Sequence, residues 1–212
     1  MKALLNSTCA LLLMLSAAKS ALAADASNLK PPRGAKVAVV LFEDLQCGDS
    51  ARAYPLVLEA AGAHHVPVVL YGFPLPMHNW SFDAEVWARF FDDKSERLGS
   101  QFREYVYANQ TKITFAKLLQ FVHKFGDENR IPIPAANDPD GRLAEKVKAD
   151  YTLAQQIGLV HTPTIFVVGR SSVSRPFVEV VNPDELNQFI EDMQKKAEPE
   201  TPAHQVSKGK LR

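Results

Sequence analysis

Cys47 is where this chain could do chemistry. Apart from Cys9, which falls in the leader described below, it is the only thiol in the 212 residues. It closes the run Val39-Val40-Leu41-Phe42-Glu43-Asp44-Leu45-Gln46 and opens Gly48-Asp49-Ser50, after which Ala51, Tyr54, Val57, Leu58 and Ala61 follow at helical spacing. A cysteine at a strand-to-helix junction faces unpaired backbone N–H groups and the positive end of the helix dipole, which favour a thiolate by about 0.3–1 kcal/mol. Asp49, in the same first turn, repels a thiolate by an amount of similar size, somewhat under about 1 kcal/mol in a mostly aqueous setting. Gly48, Asp49 and Asp44 are therefore the neighbours expected to tune the sulfur. Asp44 can act beneath it as a proton acceptor or can cap the turn after the strand. Ser50 stands where a second cysteine would usually be, three residues on; it can donate a hydrogen bond to the sulfur or simply occupy the first helical turn.

The elements that must hold this sulfur are also legible. Residues 1–23, with Met1-Lys2, the apolar run Ala10–Leu15 and the small-residue end Ala21-Leu22-Ala23, read as a secretory signal peptide cleaved before Ala24, which places the protein in the periplasm or outside the cell. That run is too short to span a bilayer, so no stable membrane anchor is expected. Removing Lys2 and Lys19 with the leader leaves 22 basic against 24 acidic residues, a balance that argues against nucleic-acid binding. Residues 24–34 read as a flexible lead-in, 35–196 as one domain, and 197–212, without apolar periodicity, as a disordered tail. Within the domain, 35–42 and 66–73 are apolar, β-branched runs expected as parallel strands buried on both faces around the Cys47 helix. From Ser81 to about 157 the apolar residues recur at helical spacing in four groups, an inserted helical subdomain with Ser81 and Thr114 as N-caps and Gly126 and Gly158 as C-terminal stops. Runs 164–169 and 177–181 read as an antiparallel hairpin, and Asn182-Pro183-Asp184-Glu185 as the cap of a final helix. The fold class is α/β.

This order resembles the DsbA-like branch of the thioredoxin superfamily, a thioredoxin-like fold with a helical insertion. The resemblance covers roughly residues 35–195. It is carried by Phe42, Asp44 and Gln46 before Cys47, by Pro55, by Phe73-Pro74-Leu75-Pro76-Met77-His78, and by Gly158-Leu159-Val160-His161-Thr162-Pro163-Thr164. It implies a cis Thr162–Pro163 bond facing Cys47, and a loop, His161 to Pro163, along which an extended polypeptide substrate pairs by strand addition.

The chain departs from that family at Cys47-Gly48-Asp49-Ser50, where members with full activity carry Cys-x-x-Cys. Disulfide exchange runs through a mixed disulfide that the second cysteine normally resolves at an effective concentration of about millimolar or above. Without it, an outside thiol must resolve the adduct, and the chain alone cannot donate a disulfide. What remains is one-thiol chemistry: capture of protein or peptide thiols and disulfides, disulfide shuffling, reaction with a sulfenic acid, or exchange with low-molecular-weight thiols. Neither cofactor nor metal is expected, since His64-His65 and one cysteine make an incomplete ligand set. Two functions follow: a monothiol thiol-disulfide oxidoreductase acting through Cys47, or a redox-inactive polypeptide-binding or chaperone module.

Overall fold

The alternation of Val37–Glu43 is what the fold is built on. This strand, β1, is buried along its whole length. Val37, Val39 and Leu41 point to one side of the sheet, and Ala38, Val40 and Phe42 to the other. A seven-residue strand with two apolar faces has to lie inside a sheet covered on both sides. The computed structural model describes residues 25–136, 138–170 and 176–197. Residues 1–24, 137, 171–175 and 198–212 lie outside the described residues, and with them the expected signal peptide and most of the expected tail.

The sheet has the order β2-β1-β3-β4. Val68–Gly72 (β2) is parallel to β1, Thr164–Gly169 (β3) is antiparallel to it on the other side, and Phe177–Glu179 (β4) completes a hairpin with β3. β2 was expected to be as deeply buried as β1; as an edge strand it is half-exposed through Val68–Tyr71. Gly48–Ala63 (α1), which runs through Pro55, and Leu186–Ala197 (α6) cover the Val39 face. The Phe42 face is covered by Arg142–Ile157 (α5) together with Ala26 and Leu29. The lead-in is therefore not flexible where it is described. Ala26 and Leu29 are buried and Asp25 N–H donates to Ile157 O at 3.1 Å. Two apolar side chains in a polar segment were enough to dock it.

The insertion comprises Ser81–Asp92 (α2), Glu96–Asn109 (α3), Leu118–Asn129 (α4) and α5. Trp80, Trp87, Phe91, Phe102, Val106, Val122 and Phe125 form a separate core, which also receives Leu45 from the turn before Cys47. The aromatic stripes are packing, with Phe91, Phe102 and Phe125 rings 4.6–5.2 Å apart.

Helix ends were less legible. Ser81 is the first residue of α2 rather than its cap, and its hydroxyl is committed to Asp44. Thr114 receives Lys117 and Leu118 N–H on its backbone carbonyl instead of its side chain. Gly126 lies inside α4, which continues to Asn129 and ends on Arg130 at φ 59°. A Cβ at Gly126 would stand 2.6 Å from the Ile133 side chain and 2.8 Å from Ile131 O, so glycine is there for the close return of the chain. Gly158 does end α5, at φ 88°, and Asn182 caps the turn into α6 through Asp184 N–H.

Two helical glycines should therefore respond oppositely. Gly126→Ala is expected to lower stability by roughly 1–3 kcal/mol through overpacking. Gly62→Ala, where an added Cβ meets nothing within 4 Å, is expected to raise it by up to about 1 kcal/mol. Urea-unfolding midpoints check both signs.

Candidate active site

Cys47 is the residue at which β1 has ended and α1 begins. Its backbone is extended, φ −79° and ψ 122°, its carbonyl accepts Ala51 N–H, and its side chain is half-buried. Across the site the chain turns through Thr162–Pro163, whose peptide bond is cis. The Cys47 thiol donates to Thr162 O at 3.3 Å. A thiol can make that contact and a thiolate cannot, because a carbonyl oxygen offers only lone pairs. Thr162 is buried, with its hydroxyl unpartnered, Pro163 is half-buried, and His161 is exposed with Nδ1 3.4 Å from Thr164 Oγ1. The structure thus brings Cys47, Thr162 and Pro163 together and leaves His161 at the rim.

The tuning residues behave differently from one another. Asp49 is exposed and ion-paired to Arg52 one turn on. Such a surface pair adds little stability. Gly48 is exposed, and a Cβ there would meet only Arg52 at 3.8 Å, so the position does not require glycine. Ser50 is fully buried, and its hydroxyl accepts Asp44 N–H at 3.4 Å; it makes no hydrogen bond to the sulfur. The expected Ser50–sulfur contact is replaced because α1 turns this side chain inward, toward the end of β1.

Asp44 is the turn's staple. Buried completely, its Oδ1 accepts from Gln46 N–H (2.8 Å) and Ser81 Oγ (2.5 Å), and its Oδ2 from Leu75 N–H (2.7 Å) and His78 Nδ1 (2.6 Å). Of its two expected roles, the geometry fills the capping one, with no hydrogen bond to the sulfur. Two further ties run from the insertion. Trp80 N–H donates to Gln46 Oε1 at 3.0 Å, and the Gln110 carboxamide donates to both Leu45 O (2.8 Å) and Cys47 O (3.0 Å). Gln110 went unnoticed in the sequence, since no local pattern shows that its amide reaches across the fold.

Behind the turn lies a charged cluster that the sequence also concealed. Arg103, from α3, donates through Nε to Glu43 Oε1 at 2.7 Å and grips Asp92 with its other nitrogens at 2.7 and 2.9 Å. Tyr107 O–H donates to Glu43 Oε2 at 2.8 Å. Burial works against the guanidinium charge, but Glu43 and Asp92 together hold Arg103 protonated well beyond its usual range. Glu85 of α2 is also fully buried, and neither of its oxygens has a hydrogen-bond partner. Burial first, and the Glu43 charge second, push its pKa well above the ordinary carboxylate range. It crowds Gly72, where a Cβ would stand 2.9 Å from Glu85 Oε2.

A cysteine at the first turn of a helix, set against a cis-proline loop and roofed by a helical insertion between parallel and antiparallel strands, is the arrangement of a DsbA-like thioredoxin fold, and this is the fold of the chain. The solved structures it is similar to are of that kind. The thiol-disulfide exchange protein alpha-DsbA2 of Wolbachia pipientis is 15% identical with a TM-score of 0.60, over 77% of this chain and 85% of that one. DsbA2 of Pseudomonas aeruginosa is 14% identical with a TM-score of 0.56, over 76% and 90%. ScsC of Proteus mirabilis is 15% identical with a TM-score of 0.59, over 78% and 71%. At these identities the likeness is one of fold. No protein-family description matches the chain, and no curated protein does. Among the described residues no helix is long and apolar enough to cross a membrane.

Two measurements probe this construction. Gln110→Leu removes the donor to Leu45 O and Cys47 O; the Cys47 alkylation rate is expected to change severalfold while the unfolding midpoint moves by only about 1 kcal/mol. For Glu85, a raised pKa means that burial of the carboxyl costs nothing below its unfolded value of 4.5 and an increasing amount as pH rises toward its folded value. Stability should therefore fall with rising pH above that point, at no more than about 1.4 kcal/mol per pH unit for this one proton. Glu85→Gln should remove that component of the slope, as read from urea unfolding at successive pH values.

Proposed function

We propose that this protein is an exported, monothiol thiol-disulfide oxidoreductase that uses Cys47 as its nucleophile on protein or peptide substrates. The observation that carries the reading is the half-exposed Cys47 sulfur at a helix start, 3.3 Å from the carbonyl of the residue preceding Pro163. In that place an incoming disulfide can approach the sulfur while its own chain lies along His161–Pro163, taking up a backbone edge as an added strand would. The thioredoxin-like neighbours include one described as a thiol-disulfide exchange protein, which agrees with this chemistry.

The step balances with one cysteine. Cys47 loses its proton to solvent and attacks one sulfur of the substrate disulfide; a Cys47–substrate S–S bond forms, the substrate S–S bond breaks, and the departing thiolate takes up a proton. A second thiol then attacks the mixed disulfide and releases Cys47. When that thiol belongs to the substrate, the outcome is shuffling with no net change of oxidation state. When low-molecular-weight thiols act instead, the first releases Cys47 and leaves the substrate sulfur bonded to that thiol, and a second frees the substrate thiol, so that one substrate disulfide is reduced and two small thiols leave as their own disulfide. Ser50 takes no part as a resolving group, so the mixed disulfide should be long-lived.

The decisive comparison is between the parent and Cys47→Ala, each mixed with a disulfide-bonded test peptide and quenched with acid. The parent should show the mixed disulfide by intact mass and shift on a non-reducing gel, and the variant should not. Should the variant still bind the peptide and the parent form no adduct, the protein is a redox-silent binding module and this reading is lost.

A further inference from the structure

We infer that the open cavity between the turn Gln110–Lys112 and α4 receives an acidic segment of the polypeptide whose disulfide reacts at Cys47. This rests on the reading of Cys47 given above and adds the chemical class of its substrate. The cavity, of about 440 Å³, is lined by Asn109, Lys112, Lys117, Gln120, Phe121 and Lys124. Three ammonium groups and no carboxylate face it. Lys124 is shared with Glu128 at 3.9 Å, whereas Lys112 and Lys117 form no ion pair among the described residues. Lys117 also stands at the N-cap of α4, so the helix dipole adds positive potential of the same sign. The carboxamides of Asn109 and Gln120 can bond a peptide backbone, and the half-buried Phe121 ring supplies an apolar wall.

The cavity is tied to the Cys47 turn through its neighbour Gln110. Asn109 and Lys112 lie within two residues of Gln110, whose side chain donates to Cys47 O at 3.0 Å. An extended chain advances about 3.3 Å per residue, so acids four to six residues from the reacting cysteine sample points roughly 13–20 Å from it. Opposite charges of this kind act mainly on the rate of encounter and are screened by salt.

The test uses the full chain and peptides that carry one cysteine as a mixed disulfide with a chromogenic thiol. The peptides are identical except for three residues, four to six positions from the cysteine on either side, which are Glu, Gln or Lys. Release of the chromogenic thiol gives the second-order rate of adduct formation. At low salt the Glu peptide of one placement should react about fivefold or more faster than its Gln counterpart. That advantage should collapse near molar salt, where the Debye length is about 3 Å. In Lys112→Glu/Lys117→Glu the order should reverse, with the Lys peptide now fastest, and an unchanged urea-unfolding midpoint reports that the variant is folded. Equal rates for Glu and Gln peptides in the parent, or a Glu preference that survives the charge reversal, would overturn the inference while leaving the chemistry of Cys47 standing. A glutathione disulfide rate that falls with the reversal as much as the Glu peptide's would overturn it too, in favour of a small anionic thiol. Failure of every peptide to react would sink the function of Cys47 and this inference with it.

Discussion

The site depends on one buried carboxylate. Asp44 is fully buried, and taking such a charge out of bulk water costs several kcal/mol unless hydrogen bonds replace the lost hydration. Here the replacement is complete: Gln46 N–H, Leu75 N–H, Ser81 Oγ and His78 Nδ1 all converge on its two oxygens. Hydrogen bonds to a charged group are each worth about 1.5–3 kcal/mol net, enough together to offset that cost. Because the donors come from the Cys47 turn, the loop after β2 and the start of α2, satisfying one charge fixes how three segments of chain meet. The cysteine is then presented by a frame, with Leu45 sunk in the aromatic core on one side and Ser50 sunk beneath α1 on the other.

The same economy governs the larger cluster behind it. Glu43 and Arg103 are both buried, and neither charge would survive alone. The guanidinium spans the boundary between sheet and insertion, with Nε on the strand's acid and its remaining nitrogens on Asp92 of α2. Glu85, brought beside them by α2, has no hydrogen-bond donor, and burial together with the Glu43 charge raises its pKa well above the ordinary range. Burial raises Glu43 too, but Arg103 and Tyr107 work against that shift, so the two carboxyls of this region are treated unequally. The insertion is thereby locked to the end of β1, next to the residues that carry Cys47.

Around the sulfur, the Thr162 carbonyl lies 3.3 Å away and accepts from the thiol, and Asp49 is paired to Arg52 on the exposed first turn of α1. Ser50, three residues beyond Cys47, is turned inward to Asp44 instead.

Much of this was written locally. Apolar runs of the right length determined β1, β2 and the β3–β4 hairpin, the 3.6-residue period determined four insertion helices, and Cys47 declared itself by its place at a strand end and as the sole thiol beyond residue 9. These signals are legible because each element's burial pattern lies within a few consecutive residues. What the sequence could not decide are the matters settled by distant atoms. Ser50 faces Asp44 instead of the sulfur, Gly126 is needed for the approach of Ile131 and Ile133, the lead-in docks through Ala26 and Leu29, and Gln110 reaches the Cys47 turn from across the insertion. Contacts of this kind, whether between residues five to seven apart or between segments more than 60 residues apart, leave no periodic trace in the sequence, so only tertiary structure chooses among the roles each residue type allows.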